Sequence, residues 1–272
     1  MKNTNNKVMV ITGAASGIGR ALAIRAAAEK VRLALADRDA AGLSQTAEMC
    51  RAAQDLKILQ VDVARREEVE SAARDIAADF GCVDIVVNNA GVSSSGLIQE
   101  LTYETLQWTI DINFWGVVHG TKAFLPHLLA RPEANLVNVS SVYGLIGVPA
   151  QAAYCASKFA VRGFTEAVRQ DLRSTPVAVT IVFPGGVRTQ IARNSRADSS
   201  LPLAEQERIR RRMEESFRNS PEDAAEAIMD GIRRNAPRVL IGSEARAIDL
   251  LARLRPASYD SVVARHAARL QA

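Results

Sequence analysis

Short apolar runs punctuate the chain at Val8 to Thr12, Arg32 to Ala36, Ile58 to Val61, Ile85 to Asn88, Asn135 to Val139, Ala178 to Phe183 and Val239 to Ile241. Longer stretches between them mix polar and apolar residues at helical spacing. Runs this short and continuously apolar read as strands covered on both faces. Their alternation with helices predicts βαβ units, a parallel sheet with helices on both sides, and ligands held at the carboxyl ends of the strands.

The rhythm changes in two places. Between Gln190 and Ser220 the chain turns polar and arginine-rich, with a helix expected from about Ala204; a segment of this kind beside a ligand site predicts a mobile lid over roughly 190–220. From Ala245 to Leu270 apolar residues recur at Ile248, Leu251, Leu254, Val262 and Val263 and are interrupted by Arg255-Pro256. This predicts a two-helix extension, 245–272, beyond a catalytic domain of 1–244, forming an amphipathic cover for the domain or for a neighbouring subunit. Docking on a membrane surface is the alternative.

Composition narrows the class. At 272 residues and 48% apolar content the chain suits one domain with a sizeable core. The formal charge of +4 comes from 34 basic and 30 acidic residues mixed along the sequence, unlike a nucleic-acid-binding stripe. The opening MKNTNNK has no apolar signal-like stretch, and no run approaches the roughly 20 apolar residues of a membrane span. Cys50, Cys82 and Cys155 are too scattered for a disulfide framework or a CxxC metal pair, which fits the cytoplasm. His119, His127 and His266 lack partners at ligand spacing, so no metal is expected.

The first strand runs straight into Thr12-Gly13-Ala14-Ala15-Ser16-Gly17-Ile18-Gly19 and then a helical stretch, Arg20 to Ala28. Strand, glycine turn and helix in this order form a phosphate-binding turn, with the helix N-terminus favouring an anion. The expected fold is therefore α/β, a Rossmann-like doubly wound sheet in a single domain. The second strand ends at Asp37, where a carboxylate can bind both adenosine ribose hydroxyls and repel a 2′-phosphate. This favours NAD, while the adjoining Arg38 keeps NADP possible. Lys30 and Val31 stand where a capping glycine would normally end the first helix.

Tyr154 and Lys158 are four apart in a helical pattern and so share a face, and Ser141 ends the fifth apolar run, where side chains reach the sheet's carboxyl edge. A phenol with a reference pKa of about 10 acts as a base near neutrality only beside positive charge.

The sequence TGAASGIG, Asp62, Asn88-Asn89-Ala90-Gly91, Asn113, Ser141, Tyr154, Lys158 and Pro184-Gly185 together resemble the short-chain dehydrogenase/reductase family, over nearly the whole chain to about Gly242. The resemblance implies that Tyr154 is the general acid/base and that Ser141 orients the substrate oxygen. Lys158 would hold the nicotinamide ribose and favour tyrosinate, and Asn113 would support a proton-relay water. It also implies a cofactor site made of Gly13, Ser16, Gly17, Ile18, Gly19, Asp37, Arg38, Asp62, Val63, Asn89, Ala90, Gly91, Tyr154, Lys158, Pro184, Gly185, Val187 and Thr189. A homodimer through the helices around Asn113 and Tyr154 is expected, with a tetramer possible through the last strand unless the extension covers it.

Leu145, Ile146, Val148 and Pro149, with a small-residue edge at Ser93 to Leu97, point to an apolar pocket and hence a hydrophobic ketone or secondary alcohol as the small-molecule substrate. Arginines 193, 196, 208, 210, 211 and 212 keep open an NADPH-dependent 3-oxoacyl thioester reductase, though solvating a helix is their simpler role. Two alternatives remain: a dinucleotide-sensing protein without turnover, against which the intact Ser141, Tyr154 and Lys158 argue, and an epimerising or dehydrating enzyme that recycles bound cofactor, against which the short substrate region and the GxxxGxG turn argue. Cys155, beside Tyr154 but pointing about 100° away, is read as packing.

Overall fold

A computed structural model describes residues 1–198, 202–215 and 217–264. Seven parallel strands form one sheet: β1 (Val8–Thr12), β2 (Arg32–Asp37), β3 (Asp55–Gln60), β4 (Ile85–Asn88), β5 (Ala134–Val139), β6 (Val177–Pro184) and β7 (Arg238–Ile241). Their order, β3-β2-β1-β4-β5-β6-β7, reverses direction between β1 and β4, which opens a crevice at the carboxyl ends of those two strands.

Alternation along the strands divides the core. Met9, Ile11, Leu33 and Leu35 face α1 (Gly17–Ala28), α2 (Ala40–Met49) and α8 (Pro221–Arg233). Val8, Val10, Val86 and Leu136 face α3 (Arg66–Phe80) and α5 (Gly116–Leu129) on the other side. The remaining helices are α4 (Tyr103–Ile110), α6 (Ala152–Asp171), α7 (Leu203–Glu215) and α9 (Ser243–Leu254). A turn of π-helix, Asp111–Trp115, joins α4 to α5.

Sequence and structure differ at β3, which begins three residues before the expected run and ends one before it. As an edge strand it pairs with β2 alone and is half exposed, so Asp55 and Lys57 are tolerated and the apolar pattern fades. At the end of α1, Lys30 adopts φ +61°, taking the left-handed conformation usually left to glycine at a modest steric penalty.

A buried polar chain fixes the middle of the sheet. Asn88 donates to Asn138 (2.9 Å) and Thr121 (3.3 Å), and Asn138 donates to Thr165 (3.0 Å). It ties β4 and β5 to α5 and α6, so the ends of both strands and the start of α6 meet in one geometry.

The expected lid holds α7, and its base is anchored: Arg196–Ala197 pairs in parallel with Ser94–Ser95, and Asp198 accepts hydrogen bonds from Thr102 N–H (2.8 Å) and Thr105 Oγ1 (3.2 Å). The extension begins with α9, breaks at Arg255-Pro256 and turns helical again over 260–264. Its last residues, with His266, lie outside the described residues. Helix α9 packs on β7, where Arg238 pairs with Asp249 at 2.7 Å.

Candidate functional site

The crevice is the mouth of a continuous cavity of about 1080 Å³. One half is built by the glycine turn. Gly13 has φ +69°, and a Cβ on Gly19 would stand 2.1 Å from the Gly13 carbonyl oxygen. The turn is clamped from both sides. Asn89 Nδ2 donates to the carbonyls of Thr12 (3.0 Å) and Gly13 (3.2 Å), while Thr12 Oγ1 accepts from the N–H groups of Asn89 (3.0 Å) and Ala90 (3.1 Å). Arg20 reaches back to the Ala15 carbonyl and donates to Thr46 at 3.0 Å.

Ser16 occupies the N-cap of α1 without making a side-chain cap, which leaves first-turn N–H groups open toward the cavity. An uncapped helix N-terminus behind a turn too tight for side chains fits the pyrophosphate of a dinucleotide. At the ends of β2 and β3, Asp37 accepts from Ala15 N–H (3.0 Å) and Asp39 N–H (3.1 Å), exposed Arg38 lies beside it, and Asp62 accepts from Ala64 N–H (3.0 Å). Ser16, Asp37, Arg38 and Asp62, with Gly13, Gly17, Ile18, Val63, Asn89, Ala90 and Gly91, line the cavity.

At the far end of this half, Pro184, Gly185, Val187 and Thr189 line the wall, and the Thr189 side chain lies against Gly17. Their loop is held by two residues the sequence did not single out. Glu244, in the first turn of α9, accepts from Gly186 N–H at 3.1 Å and is hydrogen-bonded to Asn219, which donates to the Gly186 carbonyl at 3.0 Å. No local motif announces this contact, because its partners come from three separate segments.

Ser141, Tyr154 and Lys158 converge where the two halves meet. Ser141 follows β5 and accepts from Tyr143 N–H (3.2 Å), and its hydroxyl favours ionisation of the neighbouring Tyr154 phenol. Lys158 is only 3% exposed, donates to the Val139 carbonyl at 3.2 Å, and lies 5.8 Å from the Tyr154 ring centre. Burial, opposed by the Ser141 hydrogen bond, pushes the phenol up to about 12. Burial alone pulls the Lys158 ammonium down to about 8. Burial thus shifts both groups toward their neutral forms.

Two expected site residues stand behind the wall. Gly19 packs against the turn, and Asn113, fully buried in the π turn, spends its side chain on protein: Oδ1 accepts from Val92 N–H (2.8 Å), and Nδ2 donates to the Val92 carbonyl (3.0 Å) and Ser157 (3.0 Å). It fixes the loop after β4 against α6, the helix that carries Tyr154 and Lys158. Cys155 is buried with its thiol held above the ordinary range, consistent with packing.

The other half of the cavity is lined by Ile146 and Val148, by Ile191, Ala192 and Phe217 of the lid region, and by Ala247, Ile248, Leu251, Val262 and Val263 of the extension. Gly147 N–H donates to the Tyr259 hydroxyl at 3.1 Å, binding the extension to the loop after Ser141. The extension is thus a wall of the site as well as a cover for the domain. The lid's arginines are engaged: Arg193 with Glu214 (3.2 Å), Arg208 with Glu205 (3.4 Å), Arg210 and Arg211 with Glu207 (2.9 and 3.3 Å), and Arg196 over the Trp108 ring at 3.9 Å.

The family model described as short chain dehydrogenase matches residues 7–200. The chain belongs to this family. It is 46% identical over 268 residues to the Mycobacterium tuberculosis protein SadH, covering 97% of this chain and 96% of that one. The crystal structure of a short-chain dehydrogenase/reductase from Burkholderia phymatum in complex with NAD superposes with a TM-score of 0.86 at 32% identity, covering 93% and 95% of the two chains. An alcohol dehydrogenase of Thermococcus sibiricus complexed with 5-hydroxy-NADP gives 0.73 at 28% identity, covering 86% and 93%. This short-chain dehydrogenase is accordingly an oxidoreductase built on the family's seven-stranded parallel sheet. Among the described residues no helix is long and apolar enough to cross a membrane.

Proposed function

We propose that this short-chain dehydrogenase exchanges a hydride between NAD(P) and a hydrophobic secondary alcohol or its ketone, with Tyr154 as general acid/base. The observation that carries the reading is the meeting of Ser141, Tyr154 and Lys158 at the junction of a phosphate-binding half-cavity and an apolar one. The dinucleotide supplies the hydride carrier. The open N-terminus of α1 and the glycine turn would hold its phosphates, and Lys158 would hold its nicotinamide ribose. The Asp37 carboxylate at the ribose end favours NAD over NADP.

In reduction, Ser141 donates a hydrogen bond to the carbonyl oxygen and orients it, and the Tyr154 phenol gives up its proton to the same oxygen. A phenol held protonated to about pH 12 is in the correct state to do so. In oxidation the phenol must first lose its proton, which requires positive charge beside it. Lys158 carries that charge below a pH of about 8. The intrahelical pairing of the lid arginines supports a small apolar substrate over the phosphate of an acyl carrier.

Exposed Trp115 and Phe159, on the π turn and α6, support a homodimer through α5 and α6; light scattering on the eluting protein tests it. For the chemistry, Tyr154→Phe is expected to lower kcat by roughly 10²- to 10⁴-fold. The affinities for NADH and NADPH, read from nicotinamide fluorescence, should be retained. Wild-type turnover by the variant would end this mechanism.

A further inference from the structure

We infer that Gln151 reads a second hydroxyl on the substrate, one or two carbons from the carbon that exchanges hydride. The preferred substrates are then apolar 1,2- or 1,3-diols and the matching hydroxyketones. The inference rests on the assignment of Tyr154 as acid/base.

Gln151 stands just before α6 in the cavity wall and is only 8% exposed, yet its Oε1 is buried without a hydrogen-bond partner and its side chain does not cap the helix. An orphaned buried carboxamide oxygen destabilises a fold, and native proteins seldom keep one without a use. The backbone places it firmly. Its N–H donates to the Val148 carbonyl (3.3 Å), its carbonyl accepts from Cys155 N–H (2.8 Å), and it bridges to Gly96. The residue before it, Ala150, is held at φ +58°, a strained conformation that persists only where the surroundings impose it.

Gln151 is the N-cap of α6, three positions before Tyr154, and both residues line the cavity. A group held by the carboxamide while the reacting oxygen sits on Tyr154 and Ser141 is therefore one or two carbons away. A hydroxyl both donates and accepts, so it can pair with either end of the Gln151 carboxamide. Ile146, Val148 and Leu251, which line the same cavity, favour apolar carbon around that hydroxyl. The second hydroxyl is bound and not transformed: hydride leaves the first carbinol carbon for nicotinamide, and the proton of that carbinol goes to Tyr154.

The test compares an apolar 1,2-diol with the mono-alcohol that lacks the second hydroxyl, by kcat/KM and by calorimetric binding to the enzyme–NADH complex, where no hydride can move. Wild-type enzyme is expected to favour the diol roughly tenfold or more in both readouts, and Gln151→Met, which keeps the shape without the polar atoms, to bring the ratio near one. Gln151→Leu serves if the Met variant does not fold. Equal use of the two alcohols by the wild type, or an unchanged ratio in the variants, overturns the inference and leaves the hydride-transfer reading standing. Turnover of neither alcohol, with NADH still bound, overturns both.

Discussion

The two halves of the cavity are made differently. The dinucleotide half is assembled from strand ends and the turns that immediately follow them: Gly13 to Ile18 after β1, Asp37 and Arg38 at β2, Asn89 to Gly91 after β4. The apolar half is assembled from the loop after Ser141, the segment around residues 191–217 and the extension, which lie far apart along the chain. One half repeats a local backbone solution to binding phosphate. The other is a packing arrangement with no local rule.

Substitutions can separate the halves. The largest effect is expected from Gly19→Ala, whose Cβ would stand 2.1 Å from the Gly13 carbonyl oxygen; relieving that overlap opens the turn and weakens NADH binding by roughly 10- to 100-fold in a fluorescence titration. In the opposite half, Leu251→Ala is expected to lower kcat/KM for an apolar alcohol by roughly tenfold while leaving the NADH dissociation constant unchanged. An equal loss in both readouts would show that the halves are not separable.

The junction between them carries a pH signature. Lys158 falls from 10.5 to about 8 in the folded protein, so between those values the unfolded chain binds the extra proton and stability rises with pH. Tyr154 is raised from 10 to about 12, so above pH 10 the folded protein holds the extra proton and stability falls. Urea midpoints are expected to climb from pH 8 toward pH 10 and then decline, and Lys158→Met should remove the climb. The smallest effect is Tyr259→Phe, which deprives Gly147 N–H of its acceptor. It should raise KM for the alcohol by a few-fold, corresponding to about 1 kcal/mol, without altering cofactor binding.

The parts of the site that could be read in advance share one property. Glycine spacing, the acid ending β2, and the Tyr154–Lys158 pair each act within a turn or two of backbone, so the distance between them is already set along the chain. Asn113 was legible as a residue of importance but not in its geometry: the π turn and the approach of the loop after β4 turn its side chain toward Val92 and Ser157. Glu244 and Tyr259 carried no local signal, because their partners Gly186 and Gly147 lie 58 and 112 residues away. The extension was readable as amphipathic, yet which surface its apolar side would meet depended on where β7 delivers α9.

The sequence by itself determined the α/β alternation, the phosphate-binding turn and the trio of polar side chains, since each follows from hydrophobic period, backbone freedom or helical spacing. Only the tertiary structure decided how polar side chains are spent, which protons burial withholds, and that residues between 247 and 263 line the apolar half of the cavity. The physical reason is range. Dihedral preference and periodicity act over a few residues, whereas desolvation and shape exist only once distant segments have excluded water between them.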